Sequence, residues 1–212
     1  MFGFDTVDML YRIPALLAAM TIHEYSHARA AVAMGDPTPR FLGRLTLNPI
    51  SHIDPIGLLL LLVAGFGWAK PVPINPRNFH DGRKGVFIVS LAGAGANIAL
   101  GFVAFFLLML LANLNLIGEV WQKTLFQLYR YNLMFAVFNL VPIPPLDGSK
   151  VLMSLLPGDL AYQYQKLEPY GNYILIALVL IPGLLNIVVM PFFGVVNFII
   201  RGTTSLILGI VL

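Results

Sequence analysis

Cysteine is absent from this chain of 212 residues, and charged residues are scarce. The lack of cysteine excludes disulfides, thiolate metal ligands and a cysteine nucleophile. Asp, Glu, Lys and Arg together supply 11% of the residues, whereas a soluble domain carries about 25%. So few charges do not cover the surface of a domain of this size in water, and we therefore expect lipid to solvate part of the chain.

The residues that are abundant agree with this expectation. Hydrophobic residues make up 58% of the chain, and the mean hydropathy is +0.82. These values predict an integral, multi-pass membrane protein in contact with a lipid bilayer. The net charge of +3 comes from loops that flank apolar segments, where basic residues normally set topology. We therefore expect no nucleic-acid partner.

Apolar stretches alternate with short loops that are rich in proline, glycine and basic residues. We predict a single all-α domain over residues 1–212, with five or six membrane helices. The first apolar stretch follows Asp5, Asp8 and Arg12, so we expect it to be retained and not cleaved as a signal peptide. The predicted spans are residues 7–34, 85–112, 125–141, 173–190 and 192–212.

The apolar segment at residues 55–68 decides the predicted topology. It has only about 14 residues, whereas a spanning helix needs about 20. A short helix or re-entrant segment is favoured, and loops 35–54 and 69–84 then share one side of the membrane. Six of the 13 basic residues would lie there, which makes that side cytoplasmic: Arg40, Arg44, Lys70, Arg77, Arg83 and Lys84. If the segment spans the membrane instead, the excess of basic residues on one side largely disappears.

Two strand-like stretches occur in the same region. Residues 44–47 and 72–74 are rich in β-branched and apolar residues, and we predict that they pair as a small sheet at the membrane surface. The predicted fold is therefore an all-α polytopic membrane protein with a small β or re-entrant element between its first two core helices.

The first predicted span contains the sequence His23-Glu24-Tyr25-Ser26-His27. HExxH on a helix puts two imidazoles on one face, where both can bind one zinc ion, and the glutamate can act as general base. Ionisable groups are expensive in a bilayer and are taken as functional by default. The alternative is that the two histidines only pack or cap a helix.

A catalytic zinc ion takes three protein ligands, so a third ligand must come from elsewhere. Asp147 is the best candidate, because it follows a long apolar run that prolines break, and its carboxylate can face a cavity. His52 and Asp54 are the rivals. Asp147 taken alone could equally be the N-cap of a helix at residues 150–156.

The chain resembles the site-2 protease family of intramembrane zinc metalloproteases, in the compact form without a PDZ domain. The resemblance rests on HExxH in the first span, on the Asn-Leu-Val-Pro-Ile-Pro-Pro-Leu-Asp-Gly element at residues 139–148, and on Gly-Ala-Gly-Ala-Asn at residues 93–97. Residues 48–57 and 67–73 are also similar. The match covers roughly residues 20 to 150, and the NxxPxPxLDG element is its most specific part.

The resemblance implies that His23, His27 and Asp147 bind one Zn²⁺ per chain and that Glu24 is the catalytic base. It implies that Asn139 engages the substrate backbone, and we expect its amide to stabilise the oxyanion. The catalytic core would cover about residues 7–156, followed by C-terminal helices at about residues 170–212.

A substrate-binding role is also considered for Asn97, although the family often has Gly-Pro where this chain has Gly95-Ala96. The expected partner is a single-span membrane protein that is cleaved in or near its transmembrane helix, and a homo-oligomer is left open. The expected location is the cell membrane of a prokaryote, with the active site nearer the cytoplasm. The alternatives are a zinc- or ion-handling membrane protein and a catalytically inactive scaffold.

Overall fold

The computed structural model describes residues 6–64 and 67–211 of the chain. Over these residues the fold is helical, which confirms the all-α prediction. Three short 3-10 helices lie at Pro49–His52, Pro76–Asn78 and Glu168–Tyr170. The α-helices of the described part are α1 (Thr6–Ala33), α2 (Thr38–Phe41), α3 (Pro55–Ala64), α4 (Gly82–Asn113), α5 (Glu119–Leu140), α6 (Asp147–Leu155), α7 (Gly158–Gln165), α8 (Gly171–Leu180) and α9 (Leu184–Val211).

Helices α1, α4 and α5 pack against one another and form the centre of the molecule. One buried apolar cluster joins α4, α5 and α9 and contains Phe105, Leu133 and Ile200. A second cluster joins the end of α5 to α9 through Val141, Leu146 and Val189. The second cluster holds the loop between α5 and α6 in place, so it also fixes where α6 begins.

Among the residues that the structure describes, two helices are long and apolar enough to cross a membrane: Gly82–Asn113 and Leu184–Ile210. Helices α1 and α5 have 28 and 22 residues. They are long enough, but they carry more polar and charged side chains. The structure therefore supports a membrane protein with all-α architecture, whereas the predicted five or six membrane helices are not shown.

The C-terminal boundary differs from the prediction, which placed a break between residues 190 and 192. Helix α8 ends at Leu180, and α9 begins at Leu184 and runs through Pro191. Between them Gly183 adopts a φ of +83°, a left-handed conformation that side chains rarely tolerate. The Pro182-Gly183 turn thus ends the helix. Pro191 lies in the eighth position of α9, where the helix continues past it.

The predicted pairing of residues 44–47 with 72–74 is wrong. Within residues 6–64 and 67–211 there is no β-strand, only an antiparallel bridge between Ile53 and Ala69. The Arg44 side chain donates hydrogen bonds to the carbonyls of Lys70 and Pro71. The two stretches are therefore joined by the Arg44 side chain and not by backbone hydrogen bonds between paired strands.

The two ends of the segment at residues 53–69 lie next to each other. The Lys70 N–H donates to the His52 carbonyl at 2.9 Å, beside the bridge between Ile53 and Ala69. Helix α3 has ten residues and is therefore about 15 Å long, half the thickness of a hydrocarbon core. This path favours the short, returning segment and puts the loops on either side of it next to each other.

Asp36 fastens the end of α1 to the segment that precedes α4. Its fully buried carboxylate accepts hydrogen bonds from Thr38 N (3.1 Å), Thr38 Oγ1 (2.5 Å), Asn75 N (2.7 Å) and Asn78 Nδ2 (2.8 Å). Burial alone would raise the pKa of Asp36, but these four donors stabilise the charged form and hold the pKa below its usual value of 3.8.

We expect Asp36→Asn to lower the free energy of unfolding by about 1–3 kcal/mol at pH 7, because an amide cannot accept all four bonds. A carboxyl with a lowered pKa stabilises the fold above its unfolded-state pKa, and this contribution is lost as the pH falls through the folded-state pKa. Thermal unfolding in detergent, measured between pH 7 and pH 3, should show a smaller loss of stability for Asp36→Asn than for the wild type. The exposed Asp159→Asn is the control, and equal acid sensitivity of wild type and Asp36→Asn would contradict the assignment.

Candidate metal centre

The two histidines of the HExxH sequence lie one turn apart on α1 and face the interior. Both are buried, with exposed fractions of 3% for His23 and 5% for His27. Their ring centroids are 4.6 Å apart and the ring planes are almost perpendicular. Phe135 of α5 packs edge-on against His23 at 5.0 Å. The His23 ring is therefore held between His27 of its own helix and Phe135 of α5.

One face of α4 contacts both imidazoles, through residues spaced four apart. His27 Nδ1 donates to the Val89 carbonyl at 2.7 Å, and His23 Nδ1 donates to Asn97 Oδ1 at 2.8 Å. Gly93 lies between these two acceptors. A Cβ atom at Gly93 would stand 2.5 Å from His27 Nε2 and 2.7 Å from His23 Cε1. Only glycine lets α4 approach the two rings this closely.

These contacts determine which ring nitrogen carries the hydrogen. The Val89 carbonyl only accepts, so His27 must be protonated on Nδ1. The Asn97 amide nitrogen faces the Ala19 carbonyl at 2.9 Å. The oxygen of the same amide therefore faces His23, and His23 must also be protonated on Nδ1. When neutral, both rings present an Nε2 lone pair on the same side.

Asp147 brings a third electron-pair donor to the same point. It is the first residue of α6, and its Oδ2 lies 3.0 Å from His23 Nε2 and 2.8 Å from His27 Nε2. The two Nε2 atoms are 3.0 Å apart. The N-cap position of α6 is held by Leu146, so Asp147 does not serve as the N-cap.

The next residue explains how α6 comes so close to the end of α5. A Cβ atom at Gly148 would stand 2.1 Å from the Leu140 carbonyl oxygen and 2.6 Å from that of Val141. Glycine at this position allows the first turn of α6 to press against the C-terminal end of α5. The Asp-Gly pair thus combines a candidate metal ligand with the residue that allows the close approach of α6 to α5.

Three lone-pair atoms at about 3 Å from one another repel unless a cation or proton lies between them. A tetrahedral zinc ion with bonds of about 2.0–2.2 Å holds its ligand atoms about 3.3 Å apart, close to the distances found. Two imidazoles and one carboxylate are also a donor set that suits zinc. The residues present therefore fit a single metal ion with one position left for water or substrate. Within the described residues the group His23, His27 and Asp147 has this spacing.

Glu24 lies beside this cluster with its carboxylate turned toward the segment after α3. It is 8% exposed, and its Oε2 accepts a hydrogen bond from Val72 N at 2.9 Å. The Arg44 side chain binds the two carbonyls that precede Val72. Glu24 thus holds the N–H of Val72, and Arg44 holds the carbonyls of Lys70 and Pro71.

The remaining candidates from the sequence lie outside the cluster. Asp54 accepts hydrogen bonds from Ile56 N and Gly57 N at the start of α3, and buried His52 lies near the Thr46 carbonyl. Both are used in loop structure. Asn139 donates to the Phe135 carbonyl of its own helix at 2.9 Å, and its proposed contact with substrate remains a prediction.

The contribution of α4 was only partly visible in the sequence. The stretch at residues 90–97 indicated close helix packing, but nothing in it showed that Gly93 faces the imidazoles. Val89 acts through its backbone carbonyl, which no sequence motif reveals. Asn132 of α5, which accepts a hydrogen bond from Asn97, was missed entirely.

Comparison with known proteins places the chain in a family. The model of peptidase family M50 matches residues 112–182, the part that contains Asp147. A Bacillus subtilis (strain 168) protein named "Putative zinc metalloprotease YwhC" is 40% identical over 186 residues, which cover 82% of each chain. The chain belongs to peptidase family M50. This confirms the resemblance to the site-2 proteases that the motifs indicated.

Other M50 relatives are more distant but span most of the chain. The protein named "Putative zinc metalloprotease Rip2" of Mycobacterium tuberculosis (strain H37Rv) is 30% identical over 195 residues, covering 87% of this chain and 70% of the relative. The protein of the same name in Mycolicibacterium smegmatis is 29% identical over 177 residues, covering 81% and 67%. No solved structure matches the chain. As a member of M50 the protein is a metalloprotease, and His23, His27 and Asp147 are its candidate metal centre.

Proposed function

We propose that this M50 protein is an intramembrane zinc protease that hydrolyses a peptide bond in or near the transmembrane helix of a single-span membrane protein. The observation that carries the proposal is the buried cluster of two imidazole Nε2 atoms and one carboxylate oxygen, all within 3.0 Å of one another. The relatives named as zinc metalloproteases support zinc as the ion. Helix α4, which is long and apolar enough to cross a membrane and contacts both imidazoles, supports a site at membrane depth.

The proposed chemistry divides between the metal and the chain. When bound by His23, His27 and Asp147, zinc supplies Lewis acidity, which activates water and polarises a carbonyl. Glu24 takes the proton from the attacking water and gives it to the leaving amine. Asn139 has a second amide hydrogen besides the one bonded to Phe135. We propose that this hydrogen, or the first after rotation of the amide, is donated to the developing oxyanion.

The substrate has to be extended at the cleaved bond, because a helical peptide bond is shielded by its own hydrogen bonds. The segment at residues 70–74 has no regular secondary structure and runs past Glu24. Its backbone groups beyond the Val72 N–H can hold an unwound chain by hydrogen bonds. We propose that this segment lies on the substrate path between the bilayer and the metal.

The active site is proposed to open toward the cytoplasm. The loops on either side of α3 lie next to each other. Together with the first turn of α4 these segments carry six basic residues, and segments rich in Lys and Arg remain cytoplasmic. The cell membrane of a prokaryote is the expected location.

Co-expression with a panel of single-span membrane proteins tests the proposed function. At least one panel member should yield a fragment whose new terminus lies in or near its transmembrane helix, and the fragment should be absent with Glu24→Gln. The Glu168→Gln variant, which changes an exposed glutamate, should cleave like the wild type. A fragment that persists with Glu24→Gln would contradict the proposal.

A further inference from the structure

A chain of hydrogen bonds links the metal cluster to the backbone of α5. Asn132 Nδ2 donates to the Leu128 carbonyl at 2.8 Å. Asn97 Nδ2 donates to Asn132 Oδ1 at 2.8 Å, and His23 Nδ1 donates to Asn97 Oδ1, also at 2.8 Å. Both asparagines are fully buried, with exposed fractions of 0%.

Every polar atom of the Asn97 side chain is used in this arrangement. One amide hydrogen goes to Asn132 and the other to the Ala19 carbonyl of α1 at 2.9 Å. The amide therefore has no hydrogen left for a substrate oxyanion, and its oxygen is directed at His23. Burying two primary amides is costly unless each is bonded, so a pair placed beside a ligand calls for a functional reason.

The two histidines are supported in different ways. His27 is oriented by the Val89 backbone carbonyl, which is rigid because it belongs to α4. His23 is oriented by a side chain, which can rotate and turn its amide over. The Ala19 carbonyl and Asn132 remove this freedom, because each accepts from the Asn97 nitrogen and so fixes the oxygen toward His23.

We propose that Asn97 and Asn132 are positioning residues for the metal centre: together they hold His23 protonated on Nδ1, so that its Nε2 lone pair faces the metal. This proposal rests on the proposed zinc site. Groups that orient a metal-bound histidine in this way typically contribute 10–100-fold to metal affinity.

An amide is an acceptor that adds no charge. Asp147 and Glu24 already bring two negative charges to the site, and Lys150 Nζ lies 3.5 Å from Asp147 Oδ1. A carboxylate at Asn97 would add a further buried charge, which is costly to desolvate. It would also put a carboxylate oxygen against Asn132 Oδ1, which only accepts.

Zinc affinity of the purified protein in detergent tests the proposal, measured by competition with a chromophoric chelator. We expect Asn97→Leu to weaken zinc binding 10–100-fold and Asn132→Leu to weaken it by a smaller factor of at least about 3. We expect Asn132→Asp to bind like the wild type, because a buried, protonated carboxyl can donate to Leu128 and accept from Asn97. Asn113→Leu, at an exposed position of α4, is the matched control.

A spectroscopic readout separates positioning from a loss of packing. In metal-free protein with ¹⁵N-labelled histidine, the four histidines can be assigned with alanine variants. Asn97→Leu and Asn132→Leu should change the tautomer signal of His23 and leave that of His27 at Nδ1–H. Asn132 is bonded to Asn97 and to Leu128 and acts on His23 through Asn97, so Asn132→Leu serves this test if Asn97→Leu does not fold.

Three results would overturn the proposal. Zinc affinity within threefold of the wild type for Asn97→Leu is one, and an unchanged His23 signal in both leucine variants is another. A wild type that binds no zinc overturns both this proposal and the proposed function. If zinc binds and the variants behave as expected but no membrane protein is cleaved, only the proposed function fails.

Discussion

Replacement of Glu24 by glutamine is expected to lower peptide hydrolysis at least 100-fold while the zinc stays bound. Glu24 is buried beside the metal cluster but is not one of the three grouped donors. Glutamine keeps an oxygen that can accept the Val72 N–H, so the local structure should be preserved. Glutamine cannot take a proton from water. The variant therefore loses the proposed base but keeps the three proposed zinc ligands.

The measurement for this prediction pairs a cleavage rate with a metal content. Wild type, Glu24→Gln and Glu168→Gln are purified in the same detergent and incubated with a cleaved panel substrate. We expect equal zinc in all three and loss of cleavage in Glu24→Gln alone. Retained cleavage would show that another group acts as the base, and loss of zinc together with activity would make Glu24 a ligand.

Gly93→Ala is expected to disrupt the metal centre. The substitution removes no side chain, and its effect comes from the added Cβ atom. The new Cβ would lie 2.5 Å from His27 Nε2 and 2.7–2.8 Å from atoms of the His23 ring. Contacts this short force the imidazoles away from Asp147 or push α4 away from α1. Either movement breaks the three-atom cluster, so we expect zinc affinity and cleavage each to fall at least about tenfold.

The chain offers a matched control two residues away. A Cβ at Gly95 would meet no atom within 4 Å, although Gly95 lies in the same helix and the same small-residue stretch. Gly95→Ala should therefore keep zinc binding and cleavage, and its helix should gain slightly in stability. Similar zinc affinities for Gly93→Ala and Gly95→Ala would mean that α4 does not press on the imidazoles as described.

The ends of the first two long helices and the shared face of the two histidines could be predicted from residues alone. The apolar pattern placed the first two long helices within a few residues of α1 and α4. The HExxH spacing put His23 and His27 on one face, because helix geometry fixes that relation whatever the rest of the chain does. For Asp147 the pattern made it the best candidate but left His52, Asp54 and a helix cap as alternatives, and the family resemblance then singled it out.

The parts that could not be predicted depend on contacts between distant segments. The orientation of His27 by Val89 is made through a backbone carbonyl, which every residue has. Asn132 sits in an ordinary helical context and gains its role only because α4 and α5 pack together. The predicted sheet failed because Arg44 and Glu24 bond the backbone of residues 70–72 through their side chains. The sequence predicts a helix end at Pro191, because proline often ends a helix, whereas Gly183 provides the break.

The zinc content of the purified protein, measured by atomic emission, tests the central claim most directly. The claim is that one ion is held by His23, His27 and Asp147. We predict one zinc per chain for the wild type and for His80→Ala, which removes an exposed histidine outside the cluster. We predict little or no zinc for His23→Ala, purified in the same way. Equal zinc in His23→Ala and the wild type would contradict the account.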